Sequence, residues 1–269
     1  MIDKIIVIKY GGNAMINETL KDAVMEDIVA LREKGYMPVL SHGGGPGIKE
    51  MQEKLGLESR FVDGLRYTDE PTLRVAEAVL AGQVGTELAA LILKKGGKAA
   101  AISGVASGLY HCRPMDEKYG LVGEIDHVDT SAPDALMEAG IIPVVAPLGV
   151  DDNGQTYNIN GDTAASLLAA ALKADKLVLL TDIVGLCNSI EKLDVISYLN
   201  TEDVPSLKEK GVISGGMLPK IDGCVQAIES GVKSVHIIDG RTPHSLISLV
   251  EGTPMGTTIG TEKASVGIK

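Results

Sequence analysis

Buried-looking apolar runs alternate with segments of helical periodicity along most of the chain. Ile5–Lys9 is a β-branched run that predicts a buried strand, and the next segment repeats apolar residues at helical spacing from Leu20 to Lys34. Met37–Leu40 predicts a second strand, which is followed by a helix from about Pro46 to Leu55. This β-α-β-α order favours a mostly parallel sheet that is covered by helices on both faces.

The same alternation continues as far as residue 238. Further helices are predicted at Pro71–Ala81, Val84–Lys95, Pro133–Ala139, Asp162–Leu172, Thr201–Lys210 and Pro219–Ser230, and further strands at Ala99–Ile102, Pro143–Ala146, Leu177–Leu180 and Ser234–Ile238. Short segments between Tyr110 and Val128 could pair as hairpins and form a small antiparallel lid. No Pro/Gly/Ser-rich linker marks a boundary near Lys173, so we expect two lobes that share one sheet.

Composition excludes several classes of protein. A net charge of −11, 3% aromatic residues and no Trp argue against a nucleic-acid partner. The three cysteines and five histidines show no CxxC, HxxxH or triad spacing, so we expect no protein-bound metal and no hydrolytic site. No leader and no apolar run of membrane-spanning length is visible, so we expect a cytoplasmic protein without a membrane partner.

Glycines gather where predicted strands end, and this placement points to phosphate-binding loops. Residues 9–13 put Lys9 at a strand end before two glycines whose N–H groups no side chain screens, although Lys9 alone fits an ordinary turn equally well. Residues 43–47 open a helix whose free N–H groups and dipole attract anions. Their spacing matches neither GxGxxG nor GxxxxGK[ST], which weakens both the Rossmann dehydrogenase and the P-loop interpretations.

Two later loops add polar candidates. Asp162 precedes an apolar helix and fits an N-cap, which is the commoner role for an aspartate there. Lys220 follows two glycines and a helix-starting proline, where a cation opposes the helix dipole unless an anion lies nearby. The remaining hypothesis places two lysines, glycine loops and an aspartate around phosphate groups.

Five motifs, spread in order along essentially the whole chain, resemble those of one family. They are IKYGG at residues 8–12, HGGGP at 42–46, DGLRYT at 63–68, NINGD at 158–162 and GGMLPK at 215–220. On these motifs the chain is identified as a member of the amino-acid kinase family, and it is most similar to the members that phosphorylate N-acetyl-L-glutamate in arginine biosynthesis. The resemblance implies an α/β fold, a three-layer αβα open sandwich with a mostly parallel central sheet.

The resemblance also implies a division of labour between the lobes. Residues 1–173 would bind the acyl acceptor and form a homodimer, and residues 174–269 would bind ATP with Mg²⁺ held mainly by phosphates and water. By position, Lys9 and Lys220 would neutralise the transferring phosphoryl group. Gly12 and Gly44 would donate N–H bonds to it, and Asp162 would orient the two lysines.

The remaining implied residues hold the substrates. Gly44, Gly45, Arg66 and Asn158 would hold the acceptor, Arg66 through a forked pair with its α-carboxylate. The nucleotide would be lined by Asp182, Ile183, Val184, Gly185, Leu186, Cys187, Val212, Ile213 and Ser214. A γ-carboxylate, with an ordinary pKa of about 4.3, is already ionised at neutral pH, so the attack on phosphorus needs no general base.

Alternatives to this interpretation differ in the acceptor or in whether the protein is active as an enzyme. Relatives that act on another carboxylate, such as an aminoadipate derivative, share the fold, and an idle nucleotide-binding sensor could also be built on it. The presence of Lys9, Asp162 and Lys220 together argues against the sensor. Arginine-inhibited hexameric relatives carry an additional N-terminal helix. Because the first strand here begins by Ile5, we expect a dimer with weak or no arginine feedback.

Overall fold

The computed structural model describes residues 4–15, 17–189 and 194–261. Within them, the centre of the molecule is an eight-stranded sheet. In spatial order its strands are Tyr198–Asn200 (β14), Thr257–Gly260 (β16), Ser234–Asp239 (β15), Lys176–Thr181 (β11), Ile5–Tyr10 (β1), Met37–His42 (β2), Ile142–Ala146 (β8) and Ala99–Ser103 (β5). β15 and β16 pair antiparallel, and the other neighbouring pairs are parallel.

Helices cover both faces of this sheet. They are Glu18–Glu33 (α1), Gly45–Lys54 (α2), Glu70–Glu77 (α3), Gly85–Lys94 (α4), Ser131–Glu138 (α5), Gly161–Ala171 (α6), Val204–Glu209 (α7), Met217–Glu229 (α8) and Ser245–Val250 (α9). Side chains of β1 alternate between two apolar clusters, with Val7 packing into the cluster that includes α6 and α8, and Ile6 and Ile8 into the cluster that includes α1 and α4. The predicted three-layer αβα sandwich is therefore confirmed.

The two helices predicted at Pro71–Ala81 and Val84–Lys95 are one helix, and the predicted break between them is wrong. α3 runs through a π-helical turn, Ala78–Val84, directly into α4. The backbone stays helical because the wider turn absorbs the change in helical phase between the two apolar patterns. By length and composition, Glu70–Lys94 could cross a membrane, and half of its most apolar window is buried inside the fold.

Short strands flank the large sheet at the edge where its parallel strands end. The predicted hairpin is confirmed as Tyr110–Pro114 (β6) and Gly123–Val128 (β7). It joins Leu148–Val150 (β9) and Thr156–Asn158 (β10) in a four-stranded sheet that the sequence pattern did not predict. Two further hairpins were also not predicted: Phe61–Val62 (β3) with Leu65–Arg66 (β4), and Cys187–Ser189 (β12) with Asp194–Val195 (β13).

Candidate active site

The polar candidates converge because neighbouring parallel strands end at one edge of the sheet. Lys9 lies near the carboxyl end of β1, and the glycine loop of residues 43–45 follows β2. Asp182 follows β11, the strand on the other side of β1. Ligands of open parallel sheets bind beyond the carboxyl ends of the strands, so this edge is where a site is expected.

At the centre of this edge, one aspartate contacts two lysines. Lys9 Nζ lies 2.8 Å from Asp162 Oδ1, and Lys220 Nζ lies 2.6 Å from Asp162 Oδ2. The Lys220 contact is an aligned hydrogen bond, whereas the Lys9 contact is an ion pair by distance without hydrogen-bond alignment. The three side chains come from β1, α6 and α8, and they carry a net charge of +1.

The lysines keep Asp162 ionised. Burial opposes ionisation of this carboxyl group, but the positive charges of Lys9 and Lys220 outweigh that effect and lower its pKa to about 2. The two ammonium groups are held close together by the carboxylate between them. This compact arrangement of two cations suits an anionic phosphoryl group.

Asp162 is not the N-cap of α6, so that interpretation of its role is wrong. The N-cap is Asn160, whose Oδ1 accepts hydrogen bonds from the backbone N–H groups of Asp162, at 2.9 Å, and Thr163, at 3.1 Å. An asparagine satisfies the free N–H groups of the helix equally well. The Asp162 carboxylate is therefore left to contact the lysines.

A loop after β1 brings Gly12 against Asp182. Gly12 has a φ of +70°, and a Cβ atom there would lie 2.3 Å from Asp182 Oδ1. A side chain at this position would be strained and would collide with the carboxylate. The Gly12 backbone is therefore exposed at the same edge as Lys9.

A cavity of about 550 Å³ collects seven of the predicted residues. They are Lys9, Gly12, Gly44, Gly45, Arg66, Asn158 and Asp162. A neighbouring cleft of about 670 Å³ is lined by Lys220 and shares Gly64, Leu65, Asn160 and Asp162 with the cavity. Every residue predicted for catalysis or for acceptor binding therefore lies in one connected region.

Arg66 presents its charge to the cavity without an acidic partner among the described residues. Its Nη1 donates to Gln52 Oε1 and Ser59 Oγ, both at 2.6 Å, and its Nη2 donates to the Gly45 carbonyl oxygen at 3.1 Å. The guanidinium also lies 4.8 Å from the centre of the Phe61 ring. Burial lowers its pKa, but an arginine remains charged, so the fixed cation suits a carboxylate ligand.

Asn158 is held beside Arg66 through Thr68. Asn158 Nδ2 donates to Thr68 Oγ1 at 3.2 Å, and the threonine hydroxyl donates to the Arg66 carbonyl oxygen at 2.9 Å. Thr68 is buried, which fixes this chain of hydrogen bonds. Within the described residues no hydrogen bond to the Asn158 side-chain oxygen is found, so this oxygen can accept one from a ligand in the cavity.

A second, mostly apolar cavity of about 270 Å³ contains part of the predicted nucleotide site. It is lined by the predicted residues Ile183, Val184, Gly185, Leu186, Cys187 and Val212, together with Met217 and Arg241. Asp182, Ile213 and Ser214 do not line it, and the side chain of Ile213 is buried in the core instead. Met217 and Arg241 were not predicted from the sequence. Arg241 could have been, because it follows the end of β15 and ligands are expected beyond strand ends.

The match to a family model covers most of this architecture. The model of the amino acid kinase family matches residues 4–239, which include every residue of both cavities except Arg241. The chain belongs to the amino acid kinase family. Within the family, the acetylglutamate kinase of Clostridioides difficile (strain 630) is 48% identical over 96% of this chain and 92% of that protein. The acetylglutamate kinase of Heliobacterium modesticaldum (strain ATCC 51547 / Ice1) is also 48% identical, over 91% and 87%.

Solved structures share the family fold. The protein smu.665 of Streptococcus mutans UA159 superposes with a TM-score of 0.79 and 28% identity, covering 96% of this chain and 99% of that one. N-acetylglutamate synthase of Neisseria gonorrhoeae, complexed with coenzyme A and N-acetyl-glutamate, gives a TM-score of 0.81 and 28% identity over 96% of this chain and 60% of that one. Giardia lamblia carbamate kinase bound to AMP-PNP, at 18% identity and a TM-score of 0.69, shares the fold.

Proposed function

We propose that this family member transfers the γ-phosphoryl group of ATP to the γ-carboxylate of N-acetyl-L-glutamate and so forms N-acetylglutamyl 5-phosphate for arginine biosynthesis. The observation that carries the proposal is the Lys9–Asp162–Lys220 cluster, which lies where the cavity containing Arg66 meets the cleft of Lys220. Two cations at the junction of two binding spaces suit a phosphoryl group that passes between two anions. The names of the relatives at 48% identity support the choice of acceptor.

Arg66 and Asn158 are proposed to hold the acceptor. The fork of Arg66 matches the geometry of an α-carboxylate, and its present partners are neutral oxygen atoms that a carboxylate can displace or supplement. The γ-carboxylate of the bound acceptor would then point toward Lys9.

The chemistry proposed for the chain is positioning and charge stabilisation. The ionised carboxylate attacks phosphorus without a general base, since its ordinary pKa is about 4.3. Lys9 and Lys220 stabilise negative charge on the transferring group, the N–H groups of Gly12 and Gly44 donate to its oxygens, and Asp162 keeps the lysines in place. The attack therefore needs no basic side chain to remove a proton from the acceptor.

The apolar cavity next to Leu186 is proposed to take the adenine of ATP. Its lining of small and aliphatic side chains suits a flat base, and Arg241 is the one charged residue among those that line it. The described residues contain no cluster of three or more His, Cys, Asp or Glu side chains able to hold a metal ion. We therefore propose that Mg²⁺ enters with ATP, held by phosphate and water.

The two halves of the sheet are proposed to divide these tasks, with residues 1–173 binding the acceptor and 174–269 the nucleotide.

The protein is proposed to act in the cytoplasm as a homodimer formed by the acceptor half. β5 is an edge strand of the large sheet, and α4 beside it exposes 55% of Leu93. Light scattering should give twice the 28.1 kDa chain mass. Leu93→Glu should weaken the dimer, whereas Leu55→Glu, at a leucine that is 60% exposed elsewhere, should not.

A hydroxamate-trapping assay tests the function directly, because hydroxylamine captures acyl phosphates. Purified protein would be incubated with MgATP and each of N-acetylglutamate, glutamate, aspartate and aminoadipate derivatives. We expect more hydroxamate product with N-acetylglutamate than with any of the other acids. Product with only another acid would move the substrate within the family, and no product with any acid would contradict the proposal and favour a nucleotide-binding sensor.

A further inference from the structure

A buried histidine contacts the glycine loop of the site. His42 ends β2 with none of its surface exposed, and its Nδ1 lies 2.8 Å from the carbonyl oxygen of Gly43. A carbonyl oxygen only accepts hydrogen bonds, so Nδ1 carries a proton and donates it. Nε2 is buried and has no hydrogen-bond partner among the described residues.

The imidazole is held in one neutral form. Burial lowers the pKa of His42 to about 4, so the ring stays uncharged at neutral pH. Nε2 faces the start of α4, where a Cβ atom on Gly85 would lie 3.3 Å away. No hydrogen-bond acceptor among the described residues meets Nε2, so nothing would stabilise a proton there, which fits the tautomer that is protonated only at Nδ1.

The direction of the Gly43 carbonyl fixes the direction of the next N–H group. The described chain has no cis peptide bond, and in a trans peptide the C=O and the following N–H point in opposite directions. The Gly43 C=O points at a buried imidazole, so the Gly44 N–H points away from it, toward the cavity that both glycines line. Within the described residues this N–H has no acceptor.

A peptide between two glycines rotates with little steric resistance. If the Gly43–Gly44 peptide turned over, a carbonyl oxygen would replace the N–H group in the cavity. An oxygen there would repel the phosphoryl oxygens that the N–H is proposed to bind. The hydrogen bond from His42 opposes this rotation.

We propose that His42 is a positioning residue that locks the Gly43–Gly44 peptide with its N–H group directed at the transferring phosphoryl group. This inference rests on the proposed function, in which Gly44 donates to that group. His42 itself touches neither substrate. It acts through one backbone peptide.

Two amide variants separate the hydrogen bond from the bulk of the ring. Asn at position 42 places its side-chain nitrogen near the position of Nδ1 and keeps the bond to Gly43, whereas Gln reaches the position of Nε2 and loses it. His42→Gln should lower kcat by roughly tenfold or more, by analogy with loss of a preorganised donor. The same variant should bind MgADP together with aluminium fluoride more weakly, by roughly tenfold or more. Affinity for MgADP alone should not change, and His42→Asn should restore most of both losses.

His236→Gln is the matched control, since His236 is also buried but lies in β15 among Ser234 and Thr258. It should lower thermal stability without selectively weakening the aluminium fluoride complex. Equal impairment of His42→Asn and His42→Gln, or normal kcat in His42→Gln, would overturn the proposal. If the His42 variants do not fold, nitrogen NMR of histidine-labelled wild-type protein decides, because a proton on Nε2 of His42 contradicts the lock.

Failure of the proposed function gives a different result. A wild-type protein that forms no acyl phosphate contradicts the function whatever the tautomer of His42. A wild-type protein that forms acyl phosphate while His42→Gln keeps full activity contradicts only the lock.

Discussion

At the scale of single residues, one carboxylate organises the site. Asp162 contacts Lys9 and Lys220 at 2.8 and 2.6 Å, and each lysine side chain is less than a fifth exposed. The spacing of these residues in sequence is 153 positions between Lys9 and Asp162 and 58 between Asp162 and Lys220. Only the fold brings them together, so residue spacing alone did not predict the contact.

Removal of either lysine should disable catalysis. Lys9→Ala or Lys220→Ala should lower kcat by roughly a hundredfold or more, because each variant loses a fixed charge that is proposed to stabilise the transition state. Steady-state rates from the hydroxamate assay measure this effect. Lys54→Ala is the control, since Lys54 is an exposed lysine of α2 that pairs with Glu50. Near-normal turnover in either Lys9 or Lys220 variant would contradict the assigned roles.

Asp162 should also make stability depend on acidity. The pKa of Asp162 is lowered from 3.8 to about 2 in the folded protein. Above pH 3.8 its ion pairs therefore stabilise the folded state by roughly 2 kcal/mol. This contribution is lost as the pH falls toward 2. The free energy of unfolding of Asp162→Asn should therefore be lower than that of wild type at pH 7. Urea titrations should show the difference shrinking as the pH falls below 4, and a constant difference would refute the ion-pair origin.

At the scale of elements, the long and periodic ones were predictable and the short ones were not. β1 and β2 are nearly continuous apolar runs, and α1 has a clear helical period, so their patterns identified them. β9, β10 and β14 have three residues each, which is too few for a pattern to develop. The π turn at Ala78–Val84 was missed because pattern analysis assumes one helical period, and the turn changes it.

The hairpin of β3 and β4 is the element that carries Arg66. Its two-residue turn, Asp63-Gly64, has φ angles of +48° and +82°, as in a type I′ turn. An Asp-Gly pair is a strong hairpin signal, so this element could have been predicted from sequence. Asp63 Oδ2 anchors the turn by accepting hydrogen bonds from Lys118 Nζ at 2.9 Å and Tyr119 OH at 3.1 Å.

Distortion of this turn should affect the acceptor more than the nucleotide. Gly64→Val puts a β-branched residue at positive φ and should raise KM for the acceptor several-fold, because Arg66 loses its fixed position, with little change in KM for ATP. Gly252→Val is a matched control, since Gly252 has a φ of +93°, equally open surroundings and a place after α9. Equal changes in both KM values, or the same effect from Gly252→Val, would contradict this role.

At the scale of the whole molecule, the sequence predicted the layers and the location of the site but not the shape of its cavities. The mostly parallel, helix-covered sheet followed from β-α alternation, and strand-end motifs marked the functional edge, whereas the order of the strands in the sheet was not predicted. Met217 reaches the apolar cavity from α8 and Arg241 from the segment after β15, and both lie at least 30 residues beyond the part of the lining formed by residues 183–187. Such contacts depend on how distant elements pack, and among these two residues only Arg241 had a local signal, its position after a strand end.

Buried histidines should make the whole fold less stable in mild acid. Burial, with a further contribution from the charge of Lys176, lowers the pKa of His236 to about 3, so the unfolded chain binds a proton below pH 6.5 that the folded protein does not. The free energy of unfolding should therefore fall as the pH drops from 6.5. For His236→Asn the slope should be smaller by up to about 1.4 kcal/mol per pH unit. Parallel curves in urea titrations from pH 7 to 4 would contradict this.

The shared carboxylate has a consequence for the end of the reaction cycle. An acyl phosphate and ADP are both anionic, and two lysines fixed in the site would hold them tightly if no other anion were present. Asp162 is an anion that never leaves, and it competes with each departing product for the same two ammonium groups. In the proposed reaction, the residue that assembles the cationic pair also limits product inhibition and speeds release.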